Sequence, residues 1–241
     1  MKSLVIDIGN STIKSSHINS DLKIDNFVRR NYTKKSLPKL LRKIAGQAAV
    51  TEKVIVSVSN KIHYNSLVSE FSNLNFINDK MRLPFEMNYK TDLGRDRICA
   101  VAGATYYGAD NILIVDFGTA TTFNILSKRH FKGGIIAPGL TNSLKCFTKT
   151  TGLQTAPIDS NLPAIADNTP QAVASGVYRL NKFGIMGIIY EFKNIFNDLF
   201  VIFTGGNSKH FLDSGFEHDV HDEYLVLKGI KIISDLNENI N

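Results

Sequence analysis

Ile112-Leu113-Ile114-Val115-Asp116-Phe117-Gly118-Thr119-Ala120-Thr121-Thr122 reads as a buried strand that runs into a hydroxyl-rich Asp-x-Gly turn, with Phe123, Ile125 and Leu126 resuming a strand behind it. The same pattern stands near the start of the chain. There Leu4-Val5-Ile6 leads into Asp7-Ile8-Gly9-Asn10-Ser11-Thr12, and Ile13 resumes the strand. The two aspartates lie 109 residues apart in a chain of 241, which predicts two similar α/β halves, residues 1–107 and 108–241.

Each turn has the chemistry of a phosphate cradle. Glycine lets the backbone approach a ligand closely and take a positive φ, so that successive N–H groups can line up on phosphate oxygens, with Ser and Thr hydroxyls as further donors. An aspartate at the strand end can bind the cation that accompanies a polyphosphate. One Asp-x-Gly turn alone is ordinary turn chemistry. Two copies behind two buried strands are a stronger signal. Arg95-Asp96 and Asp116-Phe117-Gly118 mimic protein-kinase signatures, but Gly94 and Val101 stand where that catalytic loop needs His and Asn, and neither a glycine-rich kinase loop nor a P-loop occurs.

Outward from the turns, Leu37, Leu40, Leu41 and Ile44 recur at helical spacing, with Thr33 or Ser36 as the expected cap, and Val54, Val56 and Val58 mark a strand. Leu67, Val68 and Phe71 suggest a second helix. A helix is expected from Asp96 to a stop at Gly108, a strand near Ile135 and Ile136, and a long helix with Thr169 as cap and Pro170 at the first helical position. Strand Phe200 to Phe203, the Gly205-Gly206 turn and terminal helical segments complete the second half.

Composition narrows the function. With 43% hydrophobic and 21% charged residues the chain can bury a core and is neither disordered nor fibrous. Its apolar runs are too short to span a bilayer, and no secretory signal is read, so a cytoplasmic protein without a membrane partner is expected. Cys99 and Cys146 stand far apart and suggest neither a disulfide nor a zinc site, and the six histidines lack metal-ligand spacing. The net charge of +6 is uneven. Residues 1–107 carry 17 Lys and Arg against 9 Asp and Glu, whereas residues 108–241 carry 11 against 13. A basic first half suits anionic ligands, while Lys34, Lys35, Lys39, Arg42 and Lys43 read first as a solvated helix face.

Asp7 to Lys14, Gly94-Arg95-Asp96-Arg97, Asp116 to Thr122, Gly133-Gly134-Ile135-Ile136-Ala137-Pro138-Gly139 and Phe203-Thr204-Gly205-Gly206-Asn207 together resemble the type III pantothenate kinases, of the actin, Hsp70 and sugar-kinase superfamily. The resemblance implies two ribonuclease H-like halves with mixed sheets and flanking helices, and a nucleotide cleft between them. It implies phosphorylation of pantothenate by ATP with Mg²⁺, the entry to coenzyme A, in a homodimer that needs K⁺ or NH₄⁺. Carried over residue by residue, Asp7, Ile8, Gly9, Asn10, Ser11, Thr12, Ile13 and Lys14 resemble the first ATP-phosphate element, with Ser11 where Thr is usual. Thr119 matches an ATP contact and Asp116 the monovalent-cation ligand. Gly94, Arg95, Asp96 and Arg97 resemble the pantothenate segment with Asp96 as the base, and Tyr89 and Thr169 match substrate contacts. Two rival readings follow from the same residues: a kinase of another small alcohol or sugar, and a non-catalytic regulator using the basic half on nucleic acid. Neither a helix-turn-helix nor aromatic-basic interleaving supports the second, and no nucleic-acid partner is expected.

Overall fold

The computed structural model describes residues 2–88, 93–159, 162–212, 215 and 217–238. The chain forms two compact units. The first comprises residues 1–108, 129–131 and those from 224 onward, and the second comprises 109–128 and 132–223.

In the first unit β1 (Ser3–Ile8) is buried along its whole length. It pairs antiparallel with β2 (Thr12–Ile18) and parallel with β4 (Lys53–Val58), and β3 (Ile24–Asn31) and β5 (Asn75–Phe76) complete the order β3-β2-β1-β4-β5. Burial on both faces is what an uninterrupted Val/Ile/Leu run in the middle of such a sheet produces. On one face Leu4, Ile6, Ile8 and Ile13 meet Leu37, Leu41 and Ile44 of α1 (Leu37–Ala45) and Leu67 of α2 (Lys61–Glu70). Neither expected cap of α1 works in the usual way. Ser36 holds the N-cap position without a side-chain bond to the helix, because its hydroxyl is engaged with Thr33. The short strand β6 (Glu86–Met87) pairs in parallel with residues 130 and 131.

The helix α3 (Arg95–Ala104) ends in a 3-10 turn, Thr105–Tyr107, and Gly108 stops it with φ +70°. All of α3 except Asp96 is buried. Within it, burial pushes the Cys99 thiol well above its ordinary pKa, so it packs as a protonated side chain 3.7 Å from the Ser57 hydroxyl. Cys146 is exposed and both cysteines are free.

The second unit repeats the opening of the first. The strand β7 (Asn111–Phe117) turns antiparallel into β8 (Ala120–Ser127), followed by β9 (His130–Pro138), α4 (Leu140–Thr151), α5 (Thr169–Ile195), β10 (Leu199–Thr204) and β11 (Val220–His221). The strand order is β11-β10-β7-β8-β9-β6, with β6 held by the first two residues of β9. Its core gathers Val115, Phe117, Phe123, Ile185, Phe203 and Phe211, and Phe117 lies between Phe203 and Phe211. α5 is capped by Asn168, whose side chain accepts from Gln171 N–H; the cap is therefore one place earlier than expected, with Thr169 the first residue of the helix and Pro170 the second.

The last helix, α6 (Leu225–Leu236), belongs to the first unit, although its place in the sequence puts it in the second half. It packs on α3, β1 and β4. Two glycines allow the backbones to touch: a Cβ on Gly103 would collide with the Leu225 carbonyl, and one on Gly229 with the Cys99 carbonyl. Lys231, 1% exposed, is neutralised by Asp235 one turn on. No helix among the described residues is long and apolar enough to cross a membrane.

Candidate active site

The first turn is a four-residue loop, because Ile8 pairs with Ile13 across it and Gly9 N–H donates to the Thr12 carbonyl at 3.0 Å. Asn10 and Ser11 are exposed at its tip and Thr12 is half-buried. Antiparallel register sets Lys14 directly opposite Asp7 on the same face of the sheet, and the two charges pair at 3.9 Å with Asp7 only 5% exposed. Tyr32, just beyond β3, donates its hydroxyl to the Gly9 carbonyl, and its own N–H donates to the Ser11 carbonyl at 3.3 Å. Burial, with the Asp7 carboxylate as a second cause, raises the Tyr32 pKa, which keeps the phenol a donor. Nothing in the sequence marks Tyr32, because it follows a largely polar, exposed strand.

The second turn is one residue shorter. Phe117 pairs with Thr121 across Gly118, Thr119 and Ala120, and Gly118 N–H donates to the Ala120 carbonyl at 3.0 Å. Opposite Asp116 stands Thr122, not a cation. Two glycines from elsewhere in the unit close on this turn. Gly205, at φ +92°, leaves no room for a Cβ, which would collide with Asp116 Oδ1 and lie 2.6 Å from Phe117 N. Gly139 donates its N–H to the Thr119 carbonyl, where a Cβ would come within 2.6 Å of that oxygen. Asn207 finishes the clamp, its backbone N–H on the Phe117 carbonyl at 2.9 Å and its Nδ2 on the Gly118 carbonyl at 3.0 Å. The positive φ expected of the turn glycines belongs instead to Gly205, since neither Gly9 nor Gly118 adopts it. At Gly118 the space is tight without being closed, because a Cβ there would stand 3.3 Å from the Ala120 carbonyl.

Next to Gly205, Ser208 donates to the Gly205 carbonyl at 2.7 Å and meets His221 Nε2 at 2.9 Å, and the His218 ring stacks on Phe203. These histidines shape the end of β10. No group of three or more His, Cys, Asp or Glu able to hold a metal occurs among the described residues.

The Gly94–Arg97 segment opens α3. Gly94 is its N-cap, and the half-buried Asp96 lies in the first turn, where the helix dipole favours a carboxylate. Asp96 Oδ1 accepts from Arg97 N–H at 2.9 Å and lies 2.6 Å from where a Cβ on residue 94 would stand, so only glycine at 94 leaves the carboxylate in that place. The neighbouring arginines differ. Arg95 is held by Asp79 at 3.0 Å and lies 3.9 Å over the Tyr64 ring, yet its buried Nε has no hydrogen-bond partner among the described residues. Arg97, equally buried, lies over the Phe131 ring at 5.7 Å. Tyr89 falls outside the described residues. Thr169 is exposed and lines a groove of about 630 Å³ in the second unit with Phe147, Leu153, Val173 and Leu180.

Against known proteins, the family model for type III pantothenate kinase matches residues 3–191. A type III pantothenate kinase of Christiangramia forsetii is 30% identical over 98% of this chain and 98% of its own length. Among solved structures, a Campylobacter jejuni protein provisionally described as a Baf family transcriptional activator is 25% identical, with a TM-score of 0.66 over 98% of this chain and 99% of that one. A ROK family glucokinase from Streptomyces griseus, solved with glucose and AMPPNP, has a TM-score of 0.60 at 10% identity, covering 98% of this chain and all of its own. That likeness is one of fold.

Proposed function

The chain belongs to the type III pantothenate kinase family, and on that premise we propose that it transfers the γ-phosphoryl group of ATP to the primary hydroxyl of pantothenate, yielding 4′-phosphopantothenate and ADP. This is the first step of coenzyme A synthesis. Neither a kinase of another small alcohol nor a nucleic-acid regulator is favoured by the family match, and the Baf description belongs to the Campylobacter jejuni protein.

The observation that carries the mechanism is the Asp96 carboxylate, half-buried, held by Arg97 N–H and by the space above Gly94. Phosphoryl transfer has a loose transition state in most analyses, so the protein must mainly align the attacking hydroxyl and spread the phosphate charge. We assign Asp96 as the base that accepts the hydroxyl proton as the new P–O bond forms and the bond to ADP breaks. The Asp7–Lys14 turn, with Lys14 as its cation and the N–H groups of Gly9 to Thr12 as donors, is assigned to the ATP phosphates. Mg²⁺ bound with the nucleotide supplies further charge neutralisation.

Arg97 is assigned to the pantothenate carboxylate, because a buried guanidinium over an aromatic ring gains from an anionic partner. Arg95 keeps one donor, Nε, for an acceptor of the substrate. Thr119, exposed at the tip of the second turn, is assigned to ATP and Thr169 to pantothenate. The donors at the second turn fit K⁺ or NH₄⁺: the Asp116 carboxylate is a hard oxygen ligand, and the residue facing it brings a hydroxyl instead of a competing charge. A homodimer is supported by α5, which exposes Leu180, Phe183 and Tyr190 with no Cβ on Gly176, Gly184 or Gly187 to keep a partner away. We place the reaction in the cytoplasm.

The deciding experiment is product formation. Purified protein with ATP, Mg²⁺ and K⁺ is expected to convert pantothenate, with little turnover in Na⁺ alone, and Asp96→Asn is expected to lose about 10³-fold in kcat while retaining ATP binding. No product in K⁺ or NH₄⁺ overturns the assignment, and full activity of Asp96→Asn overturns the role of Asp96.

A further inference from the structure

Between β3 and α1 the first unit holds a cleft of about 550 Å³ lined by Arg29, Arg30, Lys39 and Lys43, with Asn31, Ser36 and Leu40. No acidic residue lines it. Three cations elsewhere on this unit are neutralised, Lys2 by Asp25, Arg42 by Glu70 and Lys53 by Glu238. The side chains of Arg29, Arg30, Lys39 and Lys43 have no hydrogen-bonding or ionic partner among the described residues. Like charges so placed oppose the fold, as Lys39 and Lys43 do one helical turn apart. A concave wall of one sign also focuses its potential on the space it encloses.

We propose that this cleft is an anion site, separate from the ATP turn, that takes a small molecule carrying two or more phosphate groups. The donor set points to phosphate, since a guanidinium fork matches phosphate oxygens in bidentate fashion and ammonium groups add point charges. Four cations exceed what a single phosphate can engage. The volume is that of a small-molecule pocket. A polynucleotide is the less favoured occupant, because no aromatic side chain lines the cleft as a platform for bases. None of Asp7 to Lys14 lines it, although Asn31 pairs with Thr12 across β2 and β3, so the cleft adjoins the ATP turn without including it. The proposal does not depend on the kinase reaction.

The test is a calorimetric titration of the full chain with tripolyphosphate, after one equivalent of a non-hydrolysable ATP analogue has saturated the ATP turn and unbound analogue has been removed by gel filtration. One further equivalent is expected to bind, more weakly as salt rises. Arg30→Gln with Lys43→Gln is expected to weaken that binding at least tenfold at an unchanged melting temperature. Each single change should fall between, and Lys34→Gln, which removes the same charge outside the cleft, should leave binding as it was. The proposal is overturned if the saturated protein takes up no tripolyphosphate, if Lys34→Gln weakens binding as much as the cleft variants, or if a DNA duplex binds the cleft and tripolyphosphate cannot displace it.

Discussion

The two Asp-x-Gly turns share a motif and differ by one residue of loop, and that residue decides what each aspartate faces. In the first, the four-residue loop brings Lys14 opposite Asp7. In the second, the three-residue loop brings Thr122 opposite Asp116. One carboxylate therefore carries its counter-charge in its own hairpin, and the other faces a neutral hydroxyl, which suits a cation taken from solution. The supports differ too. A single hydroxyl, from Tyr32, steadies Gly9, whereas the second turn is wedged by Gly205 and Gly139 and tied by Asn207. A repeated motif thus specifies a hairpin, and its loop length and neighbours specify the job.

The most severe way to break the contrast is to give the first turn the residue of the second. Lys14→Thr is expected to lower kcat for pantothenate phosphorylation by about 10²- to 10³-fold while the response to K⁺ survives, because the proposed ion site is at the other turn. Steady-state kinetics across a K⁺ series would read both, and a variant with ordinary kcat would remove Lys14 from the phosphate site. Gly205→Ala attacks the wedge, combining a left-handed φ with collisions on Asp116 and Phe117. It should cost about 3 kcal/mol of stability, seen as a lower denaturation midpoint, and an unshifted midpoint would show that the close approach is not needed. The gentlest change is Tyr32→Phe, which deletes one hydrogen bond worth about 1 kcal/mol. We expect roughly a fivefold rise in KM for ATP with kcat within about twofold. A fall in kcat at constant KM would give Tyr32 a different task.

How much of this was legible depended on whether a feature was local. The hairpins at Asp7 and Asp116, the helix from Leu37 and the strand at Val54 to Val58 announce themselves because burial imposes a period on neighbouring residues. β3 carries no such signal: it is an edge strand, largely exposed, and Ile24 to Asn31 do not alternate. α4 was not anticipated either, since Leu140 is its one buried residue. The place of α6 was hidden for another reason, since its contacts with α3 join residues more than 120 positions apart. At the site, Asp96 stood out by motif, but the contrast between Arg95 and Arg97 did not. It depends on Asp79, Tyr64 and Phe131, which share no pattern with Gly94-Arg95-Asp96-Arg97.

The return of α6 to the first unit has a consequence for the order of events on the ribosome. Residues 109–223 supply β11, β10, β7, β8 and all of β9 but its first two residues, which emerge just before the rest of that strand. The unit that begins the chain must wait. Until Leu225–Leu236 have left the exit tunnel, the glycine-lined flank of α3 has no partner, so the half translated first is the half completed last.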